Sequence, residues 1–200
     1  RRSEMRTALN SLAPLNAIPV RLSADFLSLE AGVTQVVVSG SVDVATLPFV
    51  RRPDRRQAAV ESVALVYDEA GAVVATLPTE RTAMDLNDAD YEKVLREGLP
   101  YQKAVTIGPG RYQVRLATRE DATGVLGSAW QKVEVPDLAP GRLAVSSLFL
   151  LKEGAPSEAP PSPEAAPDLL TAQALRRFRR TERLYVQLYA YNPKRDGTGA

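Results

Sequence analysis

Apolar and polar residues alternate in short runs along most of this chain, with the period of β-strands. In IPVRLSADFLSL, Val20, Leu22, Ala24 and Phe26 alternate with Arg21, Ser23 and Asp25, which predicts a half-buried strand. VTQVVVSGSVDV (33–44) is rich in β-branched residues and predicts a second strand, with a bulge at Ser39-Gly40. ATLPFVRRPDRRQAA reads as a long loop by its prolines and charges. AVESVALVYDEAGAVVATLP reads as a hairpin. Val63, Leu65 and Tyr67 share a face, Asp68-Glu69-Ala70-Gly71 supplies the turn, and the partner strand runs roughly from Ala72 to Leu77.

The period then changes. LNDADYEKVLREG has helical spacing, with Asn87 as N-cap, Asp88 and Asp90 at the positive end of the helix dipole, and Gly98 at the C′ position. Leu86 and Tyr91 are spaced as a hydrophobic staple. Tyr91, Val94 and Leu95 form an apolar stripe, so the helix should lie across an end or edge of a sheet.

β-structure returns with LPYQKAVTI (99–107), a type II turn at Gly108-Pro109-Gly110, and RYQVRLATRED. Tyr112, Val114 and Leu116 should point inward, and Arg111, Gln113 and Arg115 outward. Asp121-Ala122-Thr123-Gly124 turns the chain into VLGSAWQKVEVPD, and RLAVSSLFLL (142–151) predicts one last strand.

About eight short strands at even spacing, with no βαβ alternation, predict an all-β, immunoglobulin-like antiparallel sandwich carrying one short inserted helix. The sandwich is expected over 16–151, after a lead-in (1–15) with a short helix. KEGAPSEAPPSPEAAPD (152–168) is a Pro/Ala/Glu-rich linker, and LLTAQALRRFRRTER reads as a short helix or connector. Residues 169–200 then read as the start of a second β module or as a strand that docks on a sheet edge. That strand is RLYVQLYAYNP. Its unpaired edge would be prone to aggregation, so it should add itself to the first sandwich or to another copy, burying Leu184, Val186 and Leu188.

Composition removes whole classes of chemistry. Without cysteine there is no disulfide framework and no thiolate metal site; without histidine the commonest general base and metal ligand are gone. A formal charge of +1 gives no global field for nucleic acid or anionic lipid, and no run is long enough for a membrane helix. The chain opens RRSEMRTALN, without initiator Met or signal peptide, and reads as a piece of a longer protein or a mature form.

Few residues invite chemistry. Asp85, Asp88 and Asp90 lack the glycine and distal Glu of an EF-hand, and the helix N-terminus accounts for them. Glu120 and Asp121 read as solvated turn acids. RRPDRRQ (51–57) and RRFRRTER (176–183) have few interleaved aromatics, which favours solvated loops or contacts to a neighbouring module over nucleic acid. Trp130 should point outward with Lys132 and Glu134, where it could stack on a sugar or lie under another domain. No nucleophile elbow, phosphate loop or S-x-x-K element occurs, so no catalytic residue, metal ligand or cofactor site is assigned.

One stretch resembles a known family. YQKAVTIGPGRYQVRLATREDATGVLGSAWQKVEVPDL followed by LAVSSL is similar to the C-terminal immunoglobulin-like modules of bacterial exported proteins related to von Willebrand factor A. IPVRLSADF and RRFRRTERLYVQLYAYNP look like strand starts of two successive modules there. The D-x-S-x-S metal loop of the A domain does not occur here, so its metal site is not carried over. Tyr112 resembles the tyrosine-corner residue of immunoglobulin-like folds; the cysteine pair and strand-C Trp of antibody domains are absent.

The resemblance implies an exported, non-catalytic structural or adhesive module that spaces or presents domains or binds a protein partner. Tyr112, Gly108, Pro109, Gly110, Asn87 and Gly98 are its expected structural residues. Trp130, Tyr185, Tyr189 and Tyr191 are its expected interaction surface. A carbohydrate-binding accessory module is the alternative, tested by whether Trp130 is exposed. A cryptic hydrolase is the remote one, and it would need two carboxylates converging in a pocket.

Overall fold

The computed structural model describes residues 2–11, 13–30, 33–139, 141–152, 180 and 183–194. Helix α1 (Arg2–Asn10) is followed by strands β1 (Val20–Glu30) and β2 (Val33–Val42). After a 3-10 turn at Val44–Thr46 come β3 (Val50–Arg52), β4 (Arg55–Tyr67), β5 (Val73–Thr76) and β6 (Glu80–Leu86). Helix α2 (Asp88–Glu97) leads to β7 (Leu99–Thr106), β8 (Gly110–Glu120) and β9 (Leu126–Val135). Four short strands follow: β10 (Ala144–Val145), β11 (Phe149–Lys152), β12 (Leu184–Gln187) and β13 (Ala190–Tyr191).

The fold is predominantly β, built as two antiparallel sheets face to face. One sheet has the order β1-β2-β7. In the other, β4 pairs with β8 and β8 with β9, while β3, β5 and β6 also pair with β4. In immunoglobulin lettering β1, β2 and β7 occupy the places of A, B and E, and β4, β8 and β9 those of C, F and G. Ala24, Phe26, Val36 and Val38 of the first sheet pack against Ala64, Val66, Val114, Leu116, Val133 and Val135 of the second. The strands alternate because only one face of each can reach this shared core.

Gly40 marks closeness, not a bulge. The register of β2 runs unbroken through Ser39 and Gly40 on both neighbours, and the irregularity lies in β1 between Ser28 and Glu30. A Cβ at Gly40 would sit 2.5 Å from Leu116 Cδ2, so the residue lets the two sheets approach.

A second cluster, Ile18, Val42, Val44, Leu47, Val60 and Met84, fills one end of the sandwich, where Val94 and Leu95 of α2 cover it. The cap of α2 is as expected: Asn87 Oδ1 accepts from the Asp90 amide at 2.8 Å, and Gly98 ends the helix at φ 75°. Tyr91 lies edge-on to Phe49 at 5.0 Å and under the Arg56 guanidinium at 4.2 Å.

Helix α1 is no detached lead-in. Its Met5, Ala8 and Leu9 are buried against Ala117, with Val63, Leu65 and Leu126 around them, on the outer face of the second sheet. Residues 45–59 are not one long loop either. Val50–Arg52 and Arg55–Gln57 pair as a tight hairpin, and β4 begins at Arg55. Its charged start is exposed, so its composition looks like that of a loop. Strand β6, in PTERTAMDL, has no expectation to match; its alternation is too weak to stand out, and its pairing with Arg56–Ser62 of β4 holds it.

The expected last strand, 142–151, is two strands broken at Ser146–Leu148. The Ser147 amide donates to Phe26 O at 3.1 Å, and Ser147 Oγ accepts from the Phe26 amide at 2.9 Å, fastening the break to β1. β10 pairs with β13 and β11 with β12, so RLYVQLYAYNP pairs within its own chain. Its orientation is the reverse of the expected one. Leu184, Val186 and Leu188 are about half exposed, at 49%, 56% and 51%. From Gln187 onward the opposite face turns inward: Tyr191 packs on the main core, and its Oη accepts from the Ser28 amide at 2.9 Å. The linker and the connector lie outside the described residues, except for Lys152, Arg180 and Arg183.

Candidate binding surfaces

The turn before β8 explains one set of expected residues. Tyr112 Oη donates to Gly108 O at 3.0 Å, closing a tyrosine corner over Gly108-Pro109-Gly110. Gly110 has φ 156°, and a Cβ there would lie 2.9 Å from Tyr112 Oη. These residues shape the corner between β7 and β8.

The turn after β8 holds a surprise. Glu120 is not solvated; it is 1% exposed. Its carboxylate accepts from the Ala122 amide (2.9 Å), the Thr123 amide (2.6 Å) and Thr123 Oγ1 (2.7 Å). Burial pushes its pKa up, but the hydrogen bonds from Thr123 and Ala122 outweigh it and hold the carboxyl below its ordinary range. Glu120 is thus a brace for the turn Asp121–Gly124. Asp121 pairs with Arg81 at 2.8 Å.

Two arginines of the first basic cluster are engaged as well. Asp88 accepts from Arg56 Nη2 at 2.8 Å, and Arg55 Nη1 donates to Asp85 O at 3.1 Å. Arg56 thus braces the start of α2, and Arg55 the end of β6 before it. Among the described residues no group of three or more acidic side chains is placed to hold a metal ion.

The outer face of the second sheet carries a groove of about 810 Å³. Pairing fixes its rows. Tyr67, Gln113 and Lys132 lie side by side across β4, β8 and β9; Arg115 and Trp130 form the next pair on one side, Arg111 and Glu134 on the other. The end of α1 at Asn10 and the turn Asp68–Gly71 wall it. Trp130, Lys132 and Glu134 are exposed, with Trp130 at 42%.

The interior of this surface is held firmly. Arg115 donates from Nη1 to Leu9 O at 2.7 Å and from Nε to Gln113 Oε1 at 2.8 Å, and lies 4.8 Å from the Tyr67 ring centroid. It therefore satisfies the carbonyl end of α1 and ties the helix to the sheet. Tyr67 Oη donates to Asn10 Oδ1 at 3.2 Å. Arg111 sits between Glu69 and Glu134 at 3.6 and 3.4 Å. Both carboxylates are well exposed and share one cation.

The tail tyrosines divide. Tyr185 is exposed at 46%. Tyr189 and Tyr191 are half-buried: Tyr189 lies edge-on to Phe149 and accepts from Gln187 Nε2 at 2.8 Å, and Tyr191 anchors to Ser28. Burial raises both phenol pKa values. These two fasten the tail and do not form a display surface with Trp130. What sequence reading missed is the other side of the same segment. Leu143, Val145, Leu148, Leu184, Val186 and Leu188 are all large, apolar and exposed. The alternation signalled such a face, but not that it points outward.

No family model matches the chain, and no curated protein does. A solved structure described as a β-galactosidase from Bacteroides fragilis is 17% identical, with a TM-score of 0.34, over 58% of this chain and 16% of that one. A β-glucuronidase from Bacteroides uniformis is 15% identical, with a TM-score of 0.33, over 57% of this chain and 13% of that one. At these TM-scores neither likeness bears on what this chain binds or does.

Proposed function

We propose that this chain is a non-catalytic, immunoglobulin-like module of a larger exported protein related to von Willebrand factor A, and that it docks a protein partner through the apolar ribbon of its tail. The observation that carries this is the row of exposed side chains at Leu143, Val145, Leu148, Leu184, Val186 and Leu188. Contiguous exposed apolar surface on a soluble domain marks an interaction site. The partner of choice is a neighbouring domain of the parent protein, since the ribbon already binds one sandwich by its inner face. Hydrogen exchange of Leu184–Leu188 in the chain alone and in the parent protein tests this. Added protection in the parent, lost with Val186→Asp and Leu188→Asp, is the expected result; equal exchange in both would refute it.

Trp130 favours a second reading, a carbohydrate-binding accessory module. Its exposure beside a polar groove is the condition that reading requires.

A further inference from the structure

We infer that the groove on the outer face of the second sheet is a binding site for a neutral saccharide, with Trp130 as its stacking platform. This rests on the carbohydrate reading above and names its site and ligand class.

The floor supplies fixed donors. Arginine only donates hydrogen bonds, so the contact from Arg115 Nε obliges Gln113 to turn its oxygen toward Arg115. The Gln113 amide nitrogen is thereby left to face elsewhere, with no partner among the described residues. Lys132, in the same row, likewise has no ion-pair or hydrogen-bond partner among the described residues. Because Arg115 is held by Leu9 O and stacked on Tyr67, Gln113 is ordered before any ligand arrives, which lowers the entropic cost of binding.

The rim supplies acceptors. Arg111 reaches Glu69 and Glu134 only at 3.6 and 3.4 Å, which leaves both carboxylates with lone pairs for hydroxyl groups. Sugar hydroxyls donate and accept, and this groove offers both capacities in adjacent strand rows.

Charge decides between neutral and acidic sugars. Arg111, Arg115 and Lys132 on the lining are matched by Asp68, Glu69 and Glu134. An anionic saccharide would find no net attraction and would meet carboxylates at the rim; a neutral one loses nothing. Size agrees. Three neighbouring strands at about 4.8 Å spacing make a floor roughly 10 Å wide. Trp130 is the cross-strand partner of Arg115, one row from Gln113 and Lys132, so a ring lying on the indole brings its hydroxyls over those donors.

Trp130 is the only tryptophan, so its fluorescence reports this site alone. The experiment titrates the intact chain with neutral hexose oligosaccharides and with uronic-acid oligosaccharides, and follows the variants by calorimetry. Saturable binding of a neutral sugar is expected, about tenfold or more weaker in Trp130→Ala, partly kept in Trp130→Phe, weakened in Gln113→Ala, and insensitive to salt. Preference for the uronic acids, lost at high salt, would overturn the neutral assignment while leaving the carbohydrate reading intact. Binding unchanged by Trp130→Ala and Gln113→Ala would move the site elsewhere. No binding of any sugar would overturn both. Unchanged melting temperatures of Trp130→Phe and Gln113→Ala separate these outcomes from misfolding.

Discussion

Glu120 shows how much a single buried side chain can govern. Its carboxyl titrates below the ordinary 4.5 in the folded state, because burial is outweighed by the donors of Thr123 and Ala122. The unfolded chain therefore binds this proton more tightly than the fold does. Its stabilising contribution is complete above about pH 4.5 and drains away as the pH falls through the lower, folded value. Glu120→Gln should destabilise at neutral pH, since its amide would face the same backbone donors, and should flatten the acid limb of stability. Urea melts from pH 3 to 7 measure both, and an unchanged acid slope would show that another group titrates. Asn87, Gly98 and Tyr112 were legible as sequence because their partners lie within a few residues. Trp130 was legible because strand alternation is local. Glu120 was not, because its burial comes from the packed sheet and not from its neighbours in the chain.

At the scale of elements, α1 is the informative case. A helix of nine residues is marginal alone, so its stability comes from the face it buries. Met5, Ala8 and Leu9 supply that face, and Arg115 holds the last carbonyls. Leu9→Ala should cost about 2–5 kcal/mol by its buried side chain, nearer the lower figure at this peripheral site. Denaturant unfolding checks the size. Trp130 fluorescence should shift with it, since Arg115 pairs across the strands with Trp130. A loss well under this range would mean that the helix is dispensable. The terminal strand makes the complementary point. Its alternation defines two faces but cannot choose which turns inward. The choice is made by Tyr191 binding Ser28, a contact across most of the chain's length. For β6 the reason is similar, since only β4 beside it makes it a strand.

For the whole molecule, the tail is part of the sandwich's architecture. Asn192 donates to the carbonyls of Leu138, Ala139 and Arg142, and Ser146 exchanges hydrogen bonds with Tyr189. A chain ending after Arg183 would leave β10 and β11 without partners and lose the Tyr191 contact to β1. It should melt at a lower temperature and scatter light on standing, as open strand edges do. Scanning calorimetry with light scattering makes the measurement, and an equally stable, monodisperse shorter chain would show the tail to be an ornament.

The pairing of Lys152 with Leu184 brings the two ends of a long stretch side by side at one point on the surface. Joining two paired positions costs only about 0.6 kcal/mol more for each doubling of the sequence between them, so the pairing depends little on that length. A peptide spliced into the sequence between Lys152 and Leu184 should therefore leave the register of β11 with β12 unchanged.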